Sequence, residues 1–298
     1  MPKQPTEDDE APDSDEVFES LAALKAKPAA KAKASKAPTL SRGLGFLPDK
    51  AEHLLKSPSV RHLFGGRMGV PHAASLEEHV QEVRDQGQTS RCVAFGQTSM
   101  ASIRLSKSTA GGTKRRFSAN ALYAFGRRYE RAGGQLQDVG SSPTLLQLAS
   151  IDWGLVEESV WPSDLSTVNV DPPMDVLQVA TEFSLPQSYT LDSEGDALIA
   201  DIKQAISTGY PVGYGTYVGQ VFGQYTGGIL MPDRTVGGGG HYTVLVGYEG
   251  DEFIGLNSWG LDWGNHGFYR CGPAWLLDER ASQFQVTQVG GYSAKPKP

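Results

Sequence analysis

The chain has 298 residues, 39% of them hydrophobic, with two cysteines and a formal charge of −7. That length holds one large domain or two small ones with ample core, and the composition is that of a globular protein. Nucleic acid is disfavoured as a partner because no basic field is present, and no run approaches the roughly 18 apolar residues of a membrane span. Cys92 and Cys271 are too few for a disulfide framework, which fits a reducing compartment.

The charge is unevenly placed. Residues 1–20 carry eight acidic residues against Lys3 alone, and residues 21–40 carry five lysines and no acid. An acidic, then Lys/Ala/Pro-rich stretch buries too little apolar surface to offset its ordering entropy, so residues 1–40 are expected to be a disordered tail, as is the short end 293–298. No apolar core of signal-peptide type opens the sequence; the expected location is the cytoplasm, with export by a specialised route left open. From Ser41 the character changes. Leu44, Phe46, Leu47, Leu54, Leu55, Val60, Leu63 and Phe64 need a surface to cover, and residues 41–70 are expected to form an arm. It either packs along the domain or lies over a functional site as a short inhibitory prosegment.

Next comes QGQTSRCVAFG, residues 86–96. Gly87 among polar residues makes a loop, and from Cys92 onward Val93, Ala94, Phe95, Met100, Ile103 and Leu105 recur at roughly helical spacing. Cys92 therefore stands where a loop becomes a helix, and a helix start favours thiolate over thiol. In FSANALYAFGRRYERAGG, Ser118 caps a second predicted helix that ends near Gly133; in SSPTLLQLASIDWG, Ser142 caps a third, with Pro143 in its first turn and Gly154 as its stop. A fourth is predicted over Glu194–Ser207. Beyond Tyr210 the period becomes strand-like: PVGYGTYV, GHYTVLVGYE, DEFIGLNSW, GFYRC and FQVTQV are short runs separated by Gly or Asp turns. Helices first and strands second imply an α+β fold with a cleft between a helical and a β part.

Among the six histidines, His241 has the unusual setting, following Gly237–Gly240 and opening a strand. Taken alone, such a histidine is most simply a hydrogen-bonded structural residue, and a cysteine before an apolar helix a small buried one. Cys271, on a late strand, reads as core. Other chemistries lack their motifs: no GK[ST] follows the glycines, no HExxH or Cys/His pairing is present, and no GxSxG occurs. No metal or cofactor is expected.

Three separated segments carry a resemblance. QGQTSRCVAF resembles the nucleophile segment of the papain-like cysteine peptidases, GHYTVLVGY their histidine strand, and NSWGLDWGNHGFYR their asparagine segment with its Trp-Gly turn. The order is the family's, and His241 and Asn257 follow Cys92 by 149 and 165 residues, slightly more than the family's usual spacing of about 130–150. The similarity runs from about Glu82 to Cys271. It implies a papain-like two-lobe fold within residues 71–292, with a helical lobe at about 80–185, an antiparallel β-barrel-like lobe at about 186–292, and the active-site cleft between them. It also implies a cysteine endopeptidase acting on a polypeptide substrate. Cys92 would be the nucleophile in a thiolate–imidazolium pair with His241, Asn257 would orient the imidazole, and Trp259 would shield that bond. Gln86 would complete the oxyanion hole with the Cys92 N–H. Gly140 would pair with substrate backbone, while Gly240, Trp259 and Trp263 would line the cleft; Gly215 and Tyr242 are guesses for its side-chain pocket.

The departures are specific. Thr89 stands where the family has a disulfide cysteine, and no partner cysteine lies near Gly140. Val93 replaces an aromatic. Arg91 adds positive charge beside the nucleophile, favouring thiolate or acidic substrate groups. Bacterial members, xylellain among them, tolerate such changes, and LPDK at 47–50 resembles their lead-in. The alternative is a thiol amidohydrolase, deamidase or acyltransferase on the same fold acting on a partner protein; a degenerate peptide-binding module would not need the full set of Gln86, Cys92, His241 and Asn257.

Overall fold

The helix that begins at Cys92 is buried along most of its length because it runs between two layers. In the computed structural model, which describes residues 42–49, 57–66, 69–109, 114–130, 135–178, 183–232 and 237–291, the chain first forms a short helix α1 (Val60–Phe64) and strand β1 (Ala73–Ser75). The long helix α2 (Cys92–Ser108) follows. Val93, Phe95, Met100 and Ile103 are all buried, so this helix is apolar on more than one face, as a central helix must be. Helices α3 (Ala119–Glu130) and α4 (Pro143–Trp153) pack on it. The signals read from the sequence act as expected: Ser118 Oγ accepts from Ala121 N at 3.0 Å, and Ser142 Oγ accepts from Leu145 N. Such a cap typically stabilises a helix by about 1 kcal/mol.

The second half is mostly strand. A small helix α5 (Met174–Gln178), strands β2 (Phe183–Ser184) and β3 (Ser188–Thr190), and helix α6 (Asp196–Ser207) lead into β4 (Val212–Val218). Then come α7 (Gln220–Gly223), β5 (Ile229–Leu230), β6 (Gly239–Glu249), β7 (Glu252–Leu256), β8 (Phe268–Cys271), α8 (Pro273–Leu276), β9 (Ser282–Thr287) and β10 (Gly290–Gly291). The main sheet has the order β3-β9-β4-β6-β7-β8-β5, with β1 added beside β6; β2 and β10 form a separate ribbon. Pairing is antiparallel except between β5 and β8.

The α+β expectation is met, with one correction: the sheet is open rather than closed as a barrel. Its two edges are protected in other ways. β5 is only two residues long, and β3 is bridged by the arm, where Thr190 N donates to Pro58 O at 2.9 Å. β6 is the longest strand and the backbone of the site. It places His241 opposite Thr216 of β4, and helix α2 lies across it so closely that a Cβ on Gly96 would come within 2.5 Å of the Tyr242 ring. Cys271 is buried in the core. The expected tail 1–40, the end 293–298 and residues 50–56 of the arm lie outside the described residues. No described helix is long and apolar enough to cross a membrane.

Candidate active site

Two loops meet ahead of the Cys92 helix. Gln86 N donates to Ser258 O at 2.9 Å, and Ser258 Oγ donates to Gln86 Oε1 at 2.7 Å, so the loop before the cysteine is clipped to the loop carrying Asn257. With its oxygen held, the Gln86 amide must present Nε2 elsewhere, and it donates to Thr89 O at 2.6 Å and Gly43 O at 3.2 Å.

Cys92 at the start of α2 and His241 on β6 are both fully buried where the helix crosses the strand, the crossing being tight at Gly96 and Tyr242. His241 Nε2 lies 2.7 Å from Asn257 Oδ1, and that oxygen also accepts from Ser258 N at 2.8 Å. An oxygen that already takes a backbone N–H is fixed as an acceptor, so the imidazole must donate from Nε2. Neutral His241 therefore carries its proton on Nε2 and leaves Nδ1 as a bare lone pair. Nδ1 is buried without a hydrogen-bond partner among the described residues. The Trp259 indole covers the imidazole at 4.7 Å between centroids, and Phe222 packs on both rings.

Burial controls the protonation states. It pushes the Cys92 thiol up to about 12, outweighing the N–H groups of Tyr242, Val93 and Cys92 itself, and lowers His241 to about 4, with Asn257 pulling the other way. Burial thus disfavours the charged form of each group in this closed form.

The arm packs across this region. Residues 43–47 lie between the two walls of the cleft: Gly45 N and Phe46 N donate to Gly240 O at 3.0 and 3.1 Å, Ser141 N donates to Gly45 O at 3.0 Å, and Leu47 N donates to Ser141 O at 3.0 Å. Gly43 O accepts from Trp259 Nε1 at 3.3 Å as well as from Gln86. The Phe46 ring fills the space left by a glycine: a Cβ on Gly215 would lie 2.0 Å from it, and Tyr242 packs at 6.1 Å between centroids. Asp49 anchors the end, accepting from Thr144 N at 3.1 Å and Thr144 Oγ1 at 2.9 Å. Gly140, at φ +89°, is pressed so tightly to the arm that a Cβ there would be 2.4 Å from Gly45 O. Farther along, Ser59 and Arg61 bond Asp192 and Ser193. The arm enters the cleft and also runs along the sheet.

Trp263 is buried in an aromatic cluster with Phe222, Tyr225, Trp259 and Tyr269, its indole donating to Phe222 O at 3.2 Å. Arg91 corrects the charge argument made from the sequence. It is fully buried and turned away from the cleft, with its guanidinium on Thr89 Oγ1, Gln86 O, Ser163 O and the Asn120 side chain. Tyr123 and Asp138 are not singled out by the sequence: no motif marks them, and the carboxylate meets Ser90 N, 48 residues away.

The thiol, imidazole and amide set stands in a helix-then-sheet fold of the kind the resemblance implied. Residues 72–275 match the family model of papain family cysteine proteases, and the chain belongs to that family. It is 31% identical over 150 residues to an uncharacterised peptidase C1-like protein of Acanthamoeba polyphaga mimivirus, an alignment covering 46% of this chain and 48% of that protein; the chain thus spans about half the length of that relative. Its fold is similar to that of xylellain, a cysteine protease from Xylella fastidiosa, with a TM-score of 0.71, 19% identity and coverage of 86% of this chain and 99% of the other. Digestive procathepsin L 3 of Tenebrio molitor larval midgut is similar with a TM-score of 0.63, 21% identity and coverage of 83% and 76%.

Proposed function

We propose that the chain is a cysteine endopeptidase whose residues 42–49 keep the cleft shut until they are displaced. The observation that carries the catalytic part is the buried imidazole of His241, held by Asn257 through Nε2 and left with Nδ1 unpartnered among the described residues, on the strand that the Cys92 helix crosses. With the arm gone and water admitted, Nδ1 takes the Cys92 proton and the resulting imidazolium stabilises the thiolate. The sulfur attacks a peptide carbonyl; the oxyanion is met by Gln86 Nε2 and the Cys92 N–H. His241 then protonates the leaving amine and activates the water that releases the acyl group. Gly140, Gly240, Trp259 and Trp263 serve the cleft, and residues 71–292 form the catalytic unit.

The inhibitory part is supported by what the arm touches. Gly43 O already occupies the Gln86 amide, and backbone positions that would pair with a substrate are taken by Gly45, Phe46 and Leu47.

The test is hydrolysis of a fluorogenic peptide library by the full chain, Phe46→Ala and Cys92→Ala, with and without an epoxysuccinyl inhibitor. Cleavage that rises in Phe46→Ala and vanishes with Cys92→Ala or inhibitor is expected. Fast alkylation of Cys92 in Phe46→Ala with no peptide cut would overturn the peptidase in favour of an amidohydrolase or acyltransferase.

A further inference from the structure

The wall of the cleft formed by Gly140 and Ser141 has no disulfide to hold it, yet it must keep a fixed distance from the Cys92 loop. A single hydroxyl joins the two. Tyr123, fully buried on α3, donates to Asp138 Oδ1 at 2.8 Å and accepts from Gly140 N at 2.9 Å, while both oxygens of Asp138 accept from Ser90 N at 2.9 and 3.0 Å. Ser90 lies two residues before Cys92. The chain of contacts therefore runs from the nucleophile loop through one carboxylate and one phenol to the cleft wall. We infer that Tyr123 and Asp138 are positioning residues that fix the peptide-pairing edge Gly140–Ser141 relative to Cys92, in the place where a disulfide would otherwise do so.

Three features favour this over a plain core contact. Burial and Asp138 push the Tyr123 hydroxyl up, so it keeps its proton and remains a donor to the carboxylate. Arg127 stacks on the Tyr123 ring at 3.7 Å and bonds Gln137 O, holding the same loop from the other side. The Gly140 N–H is consumed by the phenol, which leaves Ser141 N and O facing the cleft, and these are the atoms that now hold Gly45 and Leu47.

The inference rests on the peptidase reading only in taking that edge as the peptide's. Its test uses the full chain carrying Phe46→Ala, which weakens docking of the arm, with and without Tyr123→Phe. Loss of about one hydrogen bond's worth of register should raise KM for a peptide substrate roughly tenfold. kcat and the rate of Cys92 alkylation by iodoacetamide, a reagent too small to need the edge, should each stay within about twofold, because the thiol–imidazole pair is untouched. Asp138→Ala, which also frees Ser90, should lower kcat and alkylation in addition. Equal falls in kcat and alkylation for Tyr123→Phe, or an unchanged KM, would overturn the inference. If no peptide is hydrolysed by any of these chains, the peptidase reading fails and the inference is judged by peptide affinity in the Cys92→Ala background: weaker binding in Tyr123→Phe supports it, equal binding refutes it. Should Tyr123→Phe not fold, Asp138→Asn replaces it in the same assays, with a KM rise again required.

Discussion

Removing the Phe46 side chain should open the cleft by a calculable amount. The ring is 7% exposed, sits where Gly215 has no side chain and rests on Tyr242. Complete burial of such a side chain is worth about 1.5–3 kcal/mol, and the backbone hydrogen bonds of residues 43–47 remain in Phe46→Ala, so about 2 kcal/mol is the expected loss in docking. That corresponds to a roughly thirtyfold larger open population. If Cys92 reacts only when the arm is off, alkylation by an epoxysuccinyl reagent should accelerate by the same factor. Gly215→Val should do likewise from the other side, since its Cβ would occupy the ring's place, and the double variant should add little because both changes remove one contact. Alkylation of the parent chain as fast as that of Phe46→Ala would refute the argument, as would strict additivity of the two substitutions.

Gln86→Ala in the arm-released chain should lower kcat by about 10²–10³ while KM changes little, as expected for a donor used mainly in the transition state; steady-state kinetics check it. Acid should destabilise the closed chain through His241: the unfolded imidazole binds a proton below about 6.5 and the buried one only below about 4. The contribution is therefore complete above pH 6.5 and is lost as pH falls towards 4, by up to about 3 kcal/mol. Denaturant midpoints at pH 7 and 4.5 should converge in His241→Gln relative to the parent. The same preference for neutral imidazole means that acid should also favour release of the arm. Arg91→Met should destabilise the chain by about 1–3 kcal/mol or more, since Gln86 O, Ser163 O and Asn120 Oδ1 are left without their buried donor; equilibrium unfolding reads it.

The roles expected of Cys92, His241 and Asn257, and the choice of Asn257 itself, come only from the resemblance to papain-like peptidases, whereas local pattern alone places Cys92 at a helix start and His241 after a run of glycines. The helix caps at Ser118 and Ser142 and the strands from Val212 onward are legible for the same reason: their causes lie within a few residues. What the sequence does not display are relations made by tertiary closure. β1 is only three residues long and exists because β6 offers an edge. Arg91 looks like a charge next to a nucleophile, but its direction is decided by acceptors at Ser163 and Asn120, and those turn it inward. The arm shows its apolar residues plainly, yet nothing local says that Phe46 rather than Leu47 fills the pocket. That choice belongs to Gly215 and Gly240, since one leaves room for a ring and the other offers the carbonyl that accepts from Gly45 N and Phe46 N. The same two glycines therefore decide how the arm docks, one by receiving the ring and the other by receiving the backbone. A substitution that unseats Phe46 should loosen the whole arm from the cleft, and alkylation of Cys92 reads that release directly.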